Sequence, residues 1–300
     1  MLEELKNCPV CDHEQFEKYK ICKDFTVSKK LFTIVKCDKC GFKFTNPRPT
    51  AENIVGYYKS EEYVSHTNSN KGIINTIYQQ VRKRTLKDKV KLINTLLPEK
   101  GRILDIGCGT GYFLKACKDN GWKISGIEPD DDARKIANNT TNETINNGLF
   151  CCYDETEAFD MVTTWHVVEH IHLLNENIEK INQILKTKGI FIIAVPNDLS
   201  KDANVYQENW AAYDVPRHLY HFNQNSIKQL VEKHGFELID TKPMKYDSYY
   251  VSLLSEKNIA KDNNAKINYL KAFINGYQSN QWAKNNNQNY SSLIYVFKKK

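Results

Sequence analysis

Three hundred residues, 41% of them hydrophobic, with a net charge of +6 from 42 basic against 36 acidic side chains, suffice for one sizeable α/β domain plus an appendage. No apolar run approaches the ~18 residues that span a bilayer. Met1-Leu2-Glu3-Glu4-Leu5-Lys6 lacks the apolar core of a signal peptide, so a cytosolic chain without membrane contact is expected. Nine cysteines, an odd number in a chain of this size, speak for metal ligation or burial over disulfides.

Residues 1–46 are punctuated by two CxxC knuckles, Cys8-Pro9-Val10-Cys11 and Cys37-Asp38-Lys39-Cys40-Gly41, with twenty-five residues between them. Four thiolates at this spacing close a tetrahedron around one structural Zn²⁺, which would supply folding energy to a segment too short for its own core. Cys22 falls between the knuckles as a bystander. Asn46-Pro47-Arg48-Pro49 marks the end of the module. Residues 47–98 read as a helical linker or lid, with Tyr57, Tyr58 and Tyr63 at its start and Leu86, Val90, Ile93 and Leu97 at helical spacing. Arg82-Lys83-Arg84, Lys87, Lys89 and Lys91 read as its solvated face, not as a nucleic-acid stripe.

From residue 99 strands and helices alternate, which predicts a parallel sheet covered by helices on both faces. Strands are expected at Arg102–Ile106, Lys123–Ile127, 144–147, Phe159–Trp165, 190–195, 236–241 and 291–297. Helices are expected near 111–120, after Glu128-Pro129-Asp130, at 173–186 and at 226–234. Ile267, Leu270, Phe273, Ile274 and Tyr277 mark one more amphipathic helix in the Asn- and Lys-rich stretch 255–289. Residues 197–223 form a long aromatic, His-bearing insertion of the kind that carries function.

Asp105-Ile106-Gly107-Cys108-Gly109-Thr110-Gly111 follows a strand and opens a helix, where glycines admit a ligand and free N–H groups face it. The spacing is GxGxG, not the GxGxxG of nicotinamide binders, and Glu128 ends the second strand, placed for ribose hydroxyls. On these residues the chain resembles class I S-adenosylmethionine-dependent methyltransferases over 101–245. The resemblance implies a Rossmann-like, seven-stranded sheet. It also implies that Asp105 to Gly111, with Gly107, Cys108 and Gly109, hold the methionine portion and Glu128 the ribose. Tyr112, Pro129, Leu149 and Trp165 complete the implied cofactor set. Where the family often has an Asp for adenine, this chain reads Asn147-Gly148-Leu149. The four-cysteine module, Tyr-rich segment and cofactor core together resemble zinc-bearing methyltransferases acting on nucleotide-linked sugars.

Trp165-His166-Val167-Val168-Glu169-His170 ends the fourth strand, beyond which ligands bind in open α/β sheets. Glu169-His170 resembles a pair in ubiquinone-pathway O-methyltransferases and sugar methyltransferases. In the former an earlier Glu joins the pair on a divalent metal, and here that place is His166. His170 is the expected general base, steered by Glu169, with His166 and His218 in reserve. The same string spells H-x-x-E-H, a zinc-peptidase pattern that needs a helix across all five residues. Pro216-Arg217-His218-Leu219-Tyr220-His221-Phe222, with Trp210 and Tyr213, either lines the acceptor pocket or packs the insertion onto the sheet. The expected acceptor is a small, polar, sugar-like molecule. An RNA methyltransferase is the rival, although the fourth strand ends in Thr163-Thr164-Trp165-His166, not Asn/Asp-Pro-Pro-Tyr/Phe. Cys151-Cys152 also lacks a Pro-Cys or Thr-Cys motif. A zinc adaptor that only binds the cofactor is the third reading.

Overall fold

Neighbouring residues of the central strands point to opposite faces of the sheet, and here both faces are apolar. Ile103, Met161, Ile192 and Val296 go to one core. Leu104, Val162, Ile193 and Phe297 go to the other. The computed structural model describes residues 1–58, 73–148 and 156–300, with 73–79 as backbone alone.

The N-terminal part holds β1 (Leu2–Glu3), β2 (Phe16–Lys23), β3 (Leu31–Cys37), β4 (Lys43–Thr45) and β5 (Arg48–Pro49). A 3-10 turn at Ile54–Tyr57 and the long helix α1 (Ile73–Leu96) follow. The core then runs β6 (Arg102–Ile106), α2 (Tyr112–Asp119), β7 (Lys123–Ile127), α3 (Asp131–Thr141), β8 (Phe159–Trp165), α4 (Leu174–Ile184) and β9 (Leu185–Pro196). The insertion contributes α5 (Lys201–Tyr206) and β10 (Tyr220–His221). The chain ends with α6 (Gln224–Glu232), β11 (Phe236–Pro243), α7 (Asp247–Asp262), α8 (Tyr269–Lys284) and β12 (Ser292–Lys299).

The main sheet has the order β11-β12-β9-β8-β6-β7. The pairs among β6 to β9 are parallel, and β12 is antiparallel to both of its neighbours. Among the described residues it has six strands, not the expected seven. The stretch 144–147 makes only an isolated bridge between Ile127 and Asn146. Of its residues only Ile145 is apolar, so one buried side chain anchors it and the ladder stops. Helices α1 and α2 cover one face through Val90, Ile93, Phe113 and Cys117. Helices α4 and α6 cover the other through Ile178, Ile181, Ile227 and Leu230.

The cysteine-bearing segment is not a free appendage. Its sheet has the order β10-β4-β3-β2, so two residues of the insertion complete it as an edge strand. Cys22, Phe32 and Ile34 pack against Tyr206, Trp210, Tyr213 and Val251, which gives the bystander cysteine a place in a small core. Past the predicted module end, β5 pairs back onto β1. Two buried ion pairs lock the contact. Lys43 meets Asp198 at 2.6 Å, and Arg217, 1% exposed, sits between Asp24 and Asp214 and also donates to the Tyr57 carbonyl oxygen.

The sequence missed α7, whose buried side alternates Ser248, Val251, Ser252, Ser255 and Glu256 and so carries little apolar signal. Tyr63, Leu149 and Cys151-Cys152 lie outside the described residues.

Removing one partner of a buried pair strands the other charge. Arg217→Met is therefore expected to lower stability by about 3–5 kcal/mol, because Asp24 and Asp214 lose their counter-ion. Denaturant unfolding monitored by circular dichroism checks this. A loss below ~1 kcal/mol would show that the pair merely fills space.

Candidate active site

Three glycines in left-handed backbone conformations shape the loop between β6 and α2, each for a different reason. A Cβ on Gly107 would come within 2.5 Å of Val167, so the turn is pressed against the segment after β8. A Cβ on Gly111 would meet Ala137 at 3.0 Å, the contact that seats α2 on α3. A Cβ on Gly109 would meet nothing within 4 Å among the described residues, so the middle of the loop is open on that side to them. The N–H groups of Gly107 and Cys108 donate to the Ile127 carbonyl, tying the loop to the end of β7.

Two carboxylates border this loop. Glu128 accepts from the N–H groups of Gly109 and Asp130, at 2.8 and 2.9 Å. Asp105 is buried and accepts from the Thr163 hydroxyl at 2.6 Å. Burial pushes its pKa up to about 7 despite that hydrogen bond and the nearby Lys89 ammonium. Lys89 itself is lowered to about 8 by burial, against the pull of Asp105 and Asp247. It was read as part of a solvated face, yet its ammonium lies 4.0 Å from the Trp165 ring. The neighbouring Lys83, Arg84, Lys87 and Lys91 are exposed as expected. Arg82 stacks on Tyr112. The buried Trp165 indole N–H has no hydrogen-bond partner among the described residues.

After β8 the chain turns sharply at His166, whose φ is +59°, and then makes a single 3-10 turn at Val168–His170. No helix spans 166–170, which removes the zinc-peptidase reading. His166 instead bridges two acids, Glu169 at 3.4 Å and Asp247 at 3.2 Å. Burial disfavours its charge, but the hydrogen bonds and charges of Asp247 and Glu169 prevail and lift its pKa to about 9. The two acids thus favour the imidazolium form of His166, which speaks against a role as reserve base. Glu169 is buried, and burial opposes its charge. The His166 imidazole 3.4 Å away outweighs that and holds its pKa below the usual value.

His170 and His218 meet edge to face, ring centres 4.6 Å apart. Nδ1 of His170 lies 3.1 Å from the Arg217 carbonyl oxygen and 3.0 Å from the Tyr58 hydroxyl. Burial, then the neighbouring His218, lowers its pKa to about 4, so it is neutral over the physiological range and an ionisation near the free-His value is not expected from it. Nδ1 of His218 donates to the Ala212 carbonyl at 2.8 Å, which leaves Nε2 as an acceptor. His221, by contrast, is buried beside Thr45 and Tyr213 and only packs the insertion. A cavity of about 540 Å³ opens among α1, the insertion and α7. His166, His218, Lys89, Tyr213 and Asp214 line it, and His170 is not among its lining residues.

The four cysteines converge as the sequence predicts. The Sγ atoms of Cys8 and Cys40, and those of Cys11 and Cys37, lie 3.6 Å apart, and all four lie within 4.8 Å of one another. A tetrahedron with Zn–S near ~2.3 Å sets S···S edges of about 3.8 Å, so the cage fits that ion and is far too wide for disulfides. Burial pushes the Cys40 thiol up to about 11, whereas the hydrogen bonds around Cys11 lower its thiol against its own burial. Among the described residues one other group has a ligand-like arrangement: Glu169, His170 and His218. Its third donor comes from the insertion, which the local H-x-x-E-H spacing did not reveal.

A family profile described as the methyltransferase domain matches residues 78–241, more than half of the chain. The chain belongs to this family. A methyltransferase of Staphylococcus carnosus described as uncharacterised is 39% identical over 72 residues, 24% of this chain and 35% of that protein. The chain thus spans about a third of that relative's length. A ubiquinone biosynthesis O-methyltransferase of Coxiella burnetii is 24% identical over 199 residues, covering 62% of this chain and 82% of the relative. In fold, a S-adenosylmethionine-dependent methyltransferase from Archaeoglobus fulgidus superposes with a TM-score of 0.50 at 20% identity, over 76% of this chain and all of that one. The chain carries a methyltransferase domain.

Folding raises the His166 pKa, so its pairs stabilise the methyltransferase fully below the unfolded value of about 6.5. That contribution fades as pH rises through about 9. The stability difference between wild type and His166→Gln is therefore expected to shrink between pH 6 and pH 9.5, read from melting curves across that window. A difference that grows with pH would contradict the imidazolium assignment.

Proposed function

We propose that the enzyme methylates a small, polar, sugar-like acceptor held in the cavity among α1, the insertion and α7. The cavity itself carries the reading. Its volume of about 540 Å³ suits a small molecule. Its lining runs from Lys89 and His166, near the glycine loop, to Tyr213 and His218 in the insertion. A polynucleotide would need a continuous exposed basic track. Here Lys89 turns inward, away from the exposed lysines of its helix.

Bound S-adenosylmethionine would supply an electrophilic methyl group. The open side of Gly109, the Glu128 carboxylate and the partnerless Trp165 indole N–H support its placement there. Asp105, Gly107, Cys108, Gly109, Gly111 and Tyr112 would hold the methionine portion, and Glu128 and Pro129 the ribose. An acceptor hydroxyl must lose its proton, and His218 faces the cavity with Nε2 as an acceptor. The base role expected of His170 passes to His218 in this reading, with His170 packed edge-on behind it. Glu169 and Asp247 hold His166 as a fixed cation at the rim. Cys8, Cys11, Cys37 and Cys40 would hold one structural zinc, and cytosolic placement remains part of the proposal.

Calorimetry tests the cofactor site: Glu128→Ala is expected to weaken S-adenosylhomocysteine binding by ~1–3 kcal/mol, and unchanged affinity would remove the ribose assignment. For the chemistry, labelled methyl uptake into nucleotide-sugar pools and into RNA identifies the acceptor. His218→Ala is then expected to lower turnover ~10²–10⁴-fold with cofactor affinity retained. Full activity of His218→Ala, or uptake into RNA alone, would overturn the reading.

A second reading rests on the convergence of Glu169, His170 and His218. These donors suit a divalent cation that would polarise the acceptor hydroxyl. Elemental analysis separates the two. About one zinc per chain, lost in Cys37→Ser/Cys40→Ser, supports the base reading. A second metal ion, removed by EDTA together with activity, supports the metal.

A further inference from the structure

Helix α8 presents its larger apolar side chains outward. Its buried side is small: Ala272, Gly276, Ser279 and Ala283 face inward. A Cβ on Gly276 would come within 2.8 Å of the Tyr249 backbone, so α8 lies close against α7. Leu270, Phe273, Ile274 and Tyr277 stand at i, i+3, i+4 and i+7, one stripe along the helix. They are exposed by 70, 62, 41 and 50%. With Tyr269 they present on the order of 400–500 Å² of mostly apolar surface, at the upper end of what a soluble monomer shows.

Charge selects what covers this face. From residue 263 to residue 300 the chain contains no Asp or Glu. Lys284, exposed, stands on the stripe's own side two turns past Tyr277, and the exposed Lys266 precedes the first turn of the helix. A second copy placed face to face would bring four lysines together with no acid to neutralise them. Its contact area would also fall short of the ~800 Å² per partner of a standard interface. An anionic lipid surface meets both demands. Tyr and Phe rings suit the headgroup–acyl boundary, and lysines at the rim reach lipid phosphates.

We infer that α8 is a membrane-surface helix that inserts its Leu270–Phe273–Ile274–Tyr277 stripe into an anionic lipid interface. The association is peripheral, since no helix among the described residues is long and apolar enough to cross a membrane. Helix α8 packs on α7, whose Tyr250, Leu254 and Asn258 line the cavity, so the membrane-facing stripe and the cavity lie on opposite sides of this helix pair.

Flotation of the full chain with phosphatidylcholine vesicles, with and without phosphatidylglycerol, tests this independently of any acceptor. Binding is expected only to the anionic vesicles. Leu270→Ser/Phe273→Ser is expected to lower the bound fraction at least ~tenfold. Lys266→Ala/Lys284→Ala is expected to lower it roughly ten- to thirtyfold. Both variants should keep the wild-type melting temperature and S-adenosylhomocysteine affinity. No flotation, equal binding to neutral vesicles, or wild-type flotation of Leu270→Ser/Phe273→Ser overturns the inference. So does a dimer, seen by light scattering, that dissociates in Leu270→Ser/Phe273→Ser while vesicles are ignored.

Discussion

The buried guanidinium of Arg217 holds together three parts of the chain that would otherwise only touch. Its partners are Asp24 in the turn between β2 and β3, Asp214 in the insertion and the Tyr57 carbonyl oxygen in the 3-10 turn that precedes α1. Asp24 is itself wrapped by the N–H groups of Thr26, Val27 and Ser28, so the charge sits on a rigid turn. His218 is the next residue, and the carbonyl oxygen of Arg217 lies against His170. Remove the ion pair and both histidines lose their frame. A buried pair of this kind is weak evidence for extra stability. Its evident work is to fix geometry.

The same logic sorts the charges around the cavity. His166 stays protonated because two acids from different elements flank it, one beside it in the chain and one at the start of α7. His170 stays neutral because burial and His218 oppose its charge. Lys89 and Asp105 moderate one another across the space between α1 and the sheet. Histidines four residues apart in sequence thus favour different charge states, one cationic and one neutral, set by neighbours that local sequence does not name.

The readable parts of this enzyme were those governed by short-range rules. Strand alternation, the GxGxG turn, Glu128 at a strand end and the paired CxxC knuckles all express local geometry, and β6, β7 and β8 fall where the pattern puts them. The illegible parts depend on pairs far apart in the chain. Asp24 and Arg217 are 193 residues apart, and Asp247 looked like one acid in an undistinguished stretch. Lys89 matched its exposed neighbours in type and differed only in direction. Among the described residues the stretch 144–147 makes a bridge and no ladder, and it offers the core a single buried isoleucine. Helix α7 went unseen because serines fill its inner face.

Strand β10 has one further consequence. It is the edge of the cysteine-bearing sheet, and it begins two residues after His218. Any ligand that firms the insertion must also firm that sheet, and thermodynamic coupling runs equally in both directions. An acceptor-saturated enzyme would then surrender an ion from its thiol cage to a chelator more slowly than a resting one. The N-terminal segment would act as a gauge of occupancy, not a detachable handle.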